Sequence, residues 1–206
     1  GELPRVKILY LVSYHQNPTG ITLSAERRPE VLEIARRYSR DHRILVLDDA
    51  AYCELTYEGT APPSLKAWDT GNAHVALLQT FSKPFAPGLK TGYALLPRDL
   101  VEPVILQKGN HDFGSANFAQ HVLLAALRGG AYARHVQVLR GQYAAKRDAM
   151  LAALDAELGD FQPGRTHWTR PSGGLYVYLT LGPDLDTGRE GALFRRAVRS
   201  EERRVG

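Results

Sequence analysis

The sequence predicts an α/β fold: a three-layer αβα arrangement around a mainly parallel sheet, followed by part of a smaller α+β domain. Apolar runs at 8–14, 43–47, 73–80 and 92–96 are separated by connections too long for hairpins, which favours parallel neighbours joined by crossovers. The runs are apolar throughout rather than alternating, as strands covered on both faces should be. Three polar residues of different chemistry, Asn17, Asp49 and Lys83, stand at or just past the ends of successive runs. In open α/β sheets, ligands bind beyond those carboxyl ends.

The first strand, Ile8-Leu9-Tyr10-Leu11-Val12, runs toward Asn17-Pro18-Thr19-Gly20, a turn composition in which Pro fixes φ and Gly accepts positive φ. Ser24, with Arg27 three residues on, opens a helical spacing of Val31, Leu32, Ile34, Ala35 and Tyr38. Arg43 to Leu47 forms a second strand ending at Asp48-Asp49, Ala73 to Thr80 a third leading to Lys83, and Gly92 to Leu96 a fourth stopped by Pro97. From Arg98 to about Glu157 the pattern is helical, and a long last helix from about Ala131 carries Val136, Leu139, Tyr143, Leu151 and Leu154. Residues 1–157 are therefore expected to form the C-terminal part of a large domain, the long helix included, and 158–198 part of a small one. Past Phe161-Gln162-Pro163-Gly164, strand candidates lie at 167–169 and 175–179, and Thr187-Gly188 opens a final helix. The opening at Gly1, without Met, reads as an interior start, and 199–206 reads as a non-native, adapter-derived tail.

Composition narrows the function classes. The chain has 206 residues and 44% hydrophobic content, with no apolar run near the ~20 residues of a membrane span. Its net charge of +4 comes from bases dispersed among acids, with no aromatic-interleaved basic stripe. Neither membrane nor nucleic-acid binding is expected. Cys53, the only cysteine, excludes an internal disulfide and suits a reducing cytoplasm; it is expected to be a small buried residue rather than a nucleophile. The histidines, among them His15, His111 and His167, lack metal-ligand spacing and are expected in surface, cap or core roles, so no metal is expected.

Each short motif taken singly has an ordinary reading: a turn, a helix cap, a surface lysine. The combination is more specific. Asn17-Pro18-Thr19-Gly20, then Asp49-Ala50-Ala51-Tyr52, then Thr80-Phe81-Ser82-Lys83, in that order and separation, resembles the class I/II aminotransferases, enzymes of fold type I that use pyridoxal phosphate. Ser82 to Tyr93 extends the match toward the branch of 2-aminoadipate and aromatic aminotransferases, and Pro171-Ser172-Gly173-Gly174-Leu175-Tyr176 resembles the strand turn of the family's small domain. The resemblance covers about residues 8–198.

It implies a role for each residue. Lys83 would hold the cofactor as a Schiff base and later move a proton as a free amine. Asp49 would face the pyridine nitrogen and keep it protonated. Asn17 and Tyr52 would hydrogen-bond the ring's phenolate oxygen, and Thr80 and Ser82 would donate to the phosphate. Lys90 stands where the family usually has an arginine, supplying charge without the bidentate fork. Asp48, one residue from Asp49 on an alternating strand, should point elsewhere, as a cap or surface acid. The catalytic set is thus Lys83, Asp49 and Tyr52.

The resemblance further implies amino-acid and 2-oxo-acid substrates, a homodimer, and proximity of 111–117 to the dimer interface. The family's glycine-rich phosphate loop, stacking aromatic and carboxylate-binding arginine are not visible, so a piece of this extent is expected to be inactive alone. Two alternatives keep the same motifs: the aminotransferase-like sensor domain of a winged-helix (GntR/MocR-type) regulator, and a pyridoxal-phosphate-dependent lyase. Ala50-Ala51-Tyr52-Cys53-Glu54-Leu55 looks like the free enzymes.

Overall fold

The computed structural model describes residues 6–161 and 164–202. Strands β1 (Ile8–Val12), β2 (Leu45–Asp49), β3 (Val75–Thr80) and β4 (Gly92–Leu95) form one sheet in that order. The first three are parallel, with Leu11 beside Asp48, Val12 beside Asp49, and Asp49 beside Leu78. β4 returns antiparallel on β3, pairing Thr80 with Gly92. The expected mainly parallel sheet is present, but its last connection is not a crossover. Phe81 N–H donates to Thr91 O at 3.0 Å, while Phe85 and Ala86 N–H both return to Phe81 O. The chain between β3 and β4 is thereby folded into a tight loop, shorter than a parallel return requires.

Helix α1 (Arg27–Tyr38) covers one face of the sheet. Leu32 and Ala35 pack with Ile44, Val46, Leu65 and Val75, and Leu9, Leu11 and Trp68 close around them. Each such Leu, Ile or Val contributes about 1.5–3 kcal/mol when fully buried. The helix begins without a side-chain cap, so Ser24 does not serve as one. On the other face of β1, Ile8 and Tyr10 are 55% and 56% exposed; at this edge the cover expected on both faces is found on one among the described residues.

Three buried charges, Arg28, Asp48 and Asp69, fix the loops around the strands. Arg28 is fully buried; it donates to Ser13 O at 2.9 Å and Leu23 O at 3.1 Å, with its guanidinium 4.3 Å above the Tyr14 ring. Ser13 donates in turn to the Asp48 carboxylate, whose other oxygen accepts Leu65 N–H at 3.0 Å. Asp48 is therefore no surface acid. It is fully buried and caps the short 3-10 turn Leu65–Trp68, and burial pushes its carboxyl above the usual range. Asp69 accepts from the N–H groups of Ala73, His74 and Val75. Burial pushes its carboxyl up, but those donors and Lys66 leave it below the usual range. The anchored carboxylate sets where β3 starts, and so where the chain carrying Lys83 leaves the sheet.

The helical stretch resolves into α2 (Arg98–Asp112), α3 (Asn117–Arg128) and the 28-residue α4 (Ala131–Leu158), as the spacing predicts. β5 (His167–Trp168) and β6 (Leu179–Thr180) then form a separate antiparallel pair. The strand expected over 175–179 survives only at its end. Tyr178 N–H donates to Thr169 Oγ1 rather than to a backbone carbonyl, and the preceding residues are drawn away: Gly174 N–H binds Leu55 O and Tyr57 N–H binds Ser172 O, both at 2.9 Å. Helix α5 (Ala192–Glu202) starts later than Thr187-Gly188, because Asp186 accepts Gly188 N–H and Gly191 N–H closes a turn on Gly188 O. Gln162, Pro163 and the end of the segment read as a non-native tail, 203–206, lie outside the described residues; α5 runs through 199–202.

Candidate active site

Asp49 is the last residue of β2, and strand alternation turns it to the face opposite Asp48. There its Oδ2 accepts the Tyr10 hydroxyl at 2.5 Å and its Oδ1 accepts Ala51 N–H at 3.0 Å. The hydrogen bond to this carboxylate, with burial and its negative charge, pushes the Tyr10 phenol up to about 12. Past Asp49 the chain turns sharply, Cys53 N–H reaching Ala50 O at 3.1 Å, and this buries Tyr52 beside the strand end. Lys83 Nζ stands 5.9 Å from the centre of the Tyr52 ring. The Tyr52 phenol is pushed up to about 12 by burial first, then by the Tyr176 hydroxyl and the Asp49 charge, while hydrogen bonding from Asn17 acts in the opposite direction. Asn17, Asp49, Tyr52 and Lys83, which are distant in sequence, thus meet at one end of the sheet.

Thr80 ends β3, and its Oγ1 accepts Ser82 N–H at 3.1 Å, forming the small turn from which Lys83 projects. Lys83 and Asn17 are exposed, so the cluster is open to a ligand. Lys90 sits apart, at the end of the 3-10 turn Pro87–Leu89 with φ 49°. Its side chain makes no hydrogen bond or ion pair among the described residues, so the structure does not join it to the other candidates. Cys53 receives the Gln79 amide at 2.9 Å, and burial pushes its thiol up, in keeping with a packed residue. Among the described residues, no cluster of three or more His, Cys, Asp or Glu could hold a metal ion, and no helix is long and apolar enough to cross a membrane.

Two residues matter here that the motifs did not single out for the site. His15 is 1% exposed; its ring nitrogens meet Thr56 Oγ1 at 2.9 Å and Thr22 Oγ1 at 3.1 Å. It fills the space left by Gly173 and Gly174, where an added Cβ would lie 2.3 Å from His15 Nε2 and 2.4 Å from its Cβ. Of the roles expected for it, the core role applies; His111 and His167 are exposed. The second is Tyr176, whose hydroxyl is 3.2 Å from that of Tyr52. The run Pro171 to Tyr176, with its Gly173-Gly174 pair, is the sequence signal nearest to both contacts.

Burial lowers His15 from 6.5 to about 4. The unfolded chain therefore takes up this proton near pH 6.5 while the folded protein resists it until about pH 4, so stability falls as pH drops through that window. Urea unfolding across the window should show this slope, and His15→Gln should flatten it. An unchanged slope would assign it to other groups.

The family model for aminotransferases of class I and II matches residues 2–202. The chain belongs to the class I/II aminotransferase family. It is 35% identical to an uncharacterized aminotransferase of Saccharolobus solfataricus, over 89% of this chain and 43% of the relative. The crystal structure of alpha-aminoadipate aminotransferase from Thermus thermophilus, complexed with N-(5'-phosphopyridoxyl)-L-leucine, superimposes with a TM-score of 0.80 at 30% identity, covering 93% of this chain and 47% of that one. An uncharacterized HTH-type transcriptional regulator of Bacillus subtilis is 31% identical over 90% of this chain and 36% of its own length. The class I/II chain thus spans less than half the length of each. Its α/β fold and its resemblance to this family are both borne out.

Proposed function

We propose that the protein containing this chain is a pyridoxal-phosphate-dependent aminotransferase, moving an amino group between an amino acid and a 2-oxo acid. The observation that carries the reading is the convergence of Lys83, Asp49, Tyr52 and Asn17 at the sheet end. The donor set suits the cofactor: an amine for its aldehyde, a carboxylate for its ring nitrogen, and a phenol and an amide for its ring oxygen. Asp49 also has room for another donor, since its two contacts leave lone pairs on both oxygens. When bound, pyridoxal phosphate supplies an aldehyde that condenses with amines and a ring that accepts electrons from the substrate's α-carbon.

The chain's own residues do the rest. Lys83 Nζ would bind the aldehyde and, once displaced, would move the proton between the substrate α-carbon and the cofactor carbon that had carried the aldehyde. Asp49 holds the proton on the ring nitrogen. Tyr52 and Asn17 would donate to the ring oxygen and orient the ring, and the Thr80 and Ser82 hydroxyls would hold the phosphate, with Lys90, on its separate turn, adding charge. Residues 1–157 serve as part of the cofactor-binding domain and 158–198 as part of a smaller one, in a cytoplasmic homodimer.

Borohydride reduction of the full-length, cofactor-loaded protein should fix a phosphopyridoxyl group on the peptide containing Lys83. Recovery of the label elsewhere would overturn the assignment. The similarity to a transcriptional regulator supports a second reading, ligand sensing on the same scaffold. Multiple turnovers with an amino acid and a 2-oxo acid favour the enzyme; cofactor binding without turnover favours the sensor.

A further inference from the structure

Tyr176 comes from the turn before β6, yet its side chain reaches the cluster around Lys83. Its hydroxyl is 3.2 Å from that of Tyr52, and the rings meet edge to face, with centroids 5.7 Å apart and planes at 86°. Backbone contacts set this placement. Gly174 N–H donates to Leu55 O, and Tyr57 and Glu58 N–H both donate to Ser172 O. From the other side, Gly20, at φ 71°, lies so close that a Cβ there would stand 2.6 Å from Tyr176 O. The loops after β1 and β2 therefore grip the Tyr176 segment from two directions, and both loops carry residues of the site.

A phenol has one proton to donate and two lone pairs to accept with. If Tyr52 gives its proton inward to a ligand, its oxygen is free to accept from outside, and Tyr176 is a hydroxyl placed to donate there. We propose that Tyr176 is a positioning residue: its hydroxyl donates to Tyr52, which then donates to the anionic ring oxygen of the bound cofactor, forming a two-phenol relay. The relay rests on the cofactor reading above and extends it to a residue to which that reading gives no role. Hydrogen bonds in such a chain polarise one another, so the outer hydroxyl makes Tyr52 a stronger donor. A weaker donor leaves the ring oxygen more basic, and the group titrating beside it then holds its proton to higher pH.

The test uses the full-length protein loaded with pyridoxal phosphate, as wild type, Tyr176→Phe, Tyr52→Phe and the double variant. Phenylalanine keeps the edge-to-face packing and removes only the hydroxyl. The measurement is the pH midpoint of the bound cofactor's visible absorbance, which does not depend on turnover. Tyr176→Phe should raise it by about 0.4–1 unit, the size of one neutral hydrogen bond. Tyr52→Phe should raise it further, and the double variant should match Tyr52→Phe alone, as expected for coupled neighbours. An unchanged midpoint in Tyr176→Phe, or the same shift with and without Tyr52, overturns the relay while leaving the cofactor reading intact. Failure of the wild type to bind the cofactor overturns both. In cofactor-free protein carrying tyrosine labelled with carbon-13 at Cζ, Tyr176→Phe should move the Tyr52 titration, since the two hydroxyls share one hydrogen bond. An unmoved Tyr52 titration there means that the phenols are not coupled, and the relay falls whatever the cofactor does.

Discussion

Lys83→Ala should leave the full-length protein able to bind pyridoxal phosphate without covalent attachment, and should lower turnover by at least about 10²–10⁴-fold, the usual range for a positioned proton-transfer group. The expectation follows from placement. Lys83 is exposed, projects from a turn fixed by Thr80, and faces the Tyr52 ring at 5.9 Å. Lys90, the next lysine along, lies on a different turn and makes no side-chain contact that would bring it to Asp49 or Tyr52. Reduction with borohydride and mass analysis of the Lys83→Ala protein checks this. A covalent adduct that persists would mean that another amine holds the cofactor.

Asp49→Asn keeps the shape of the side chain and removes its charge. Covalent attachment at Lys83 should survive, while turnover should fall by roughly 10- to 100-fold. That range corresponds to losing about 1.5–3 kcal/mol of charge-assisted hydrogen bonding to the ring nitrogen. A second readout belongs to the apoprotein. Tyr10 owes its raised phenol chiefly to the Asp49 carboxylate, so in Asp49→Asn it should titrate below about 12. Unchanged turnover together with a shifted Tyr10 would show that Asp49 sits against Tyr10 as described but that another group protonates the ring.

The parts of the fold written in local pattern were legible in the sequence. The parallel strands, α1 and the long α4 follow from apolar periodicity, and the positions of Asn17, Asp49 and Lys83 at strand ends required only the direction of the chain. What the pattern could not show was set by contacts between distant segments. Residues 175–178 have strand-forming composition, but the docking of Ser172 and Gly174 onto the loop after β2 overrides it. The buried state of Asp48 depends on Ser13, Arg28 and Leu65, none of which has a sequence spacing that marks the link. Tyr176 was hidden for the same reason: it meets Tyr52 across 124 positions of chain.

The two adjacent acids at the end of β2 carry one further implication. Asp48 faces Ser13 and the core, and Asp49 faces Tyr10 and open space; only the pleat of the strand tells them apart. A shift of one residue between β2 and its neighbours would turn every side chain of the strand over. It would place the wrong carboxylate in the core, and the protein would lose its fold and its chemistry together. Insertions or deletions within Leu45–Asp49 should therefore be far less tolerated than substitutions there, and the hydrogen-bond register with β1 and β3 acts as the reading frame of the site.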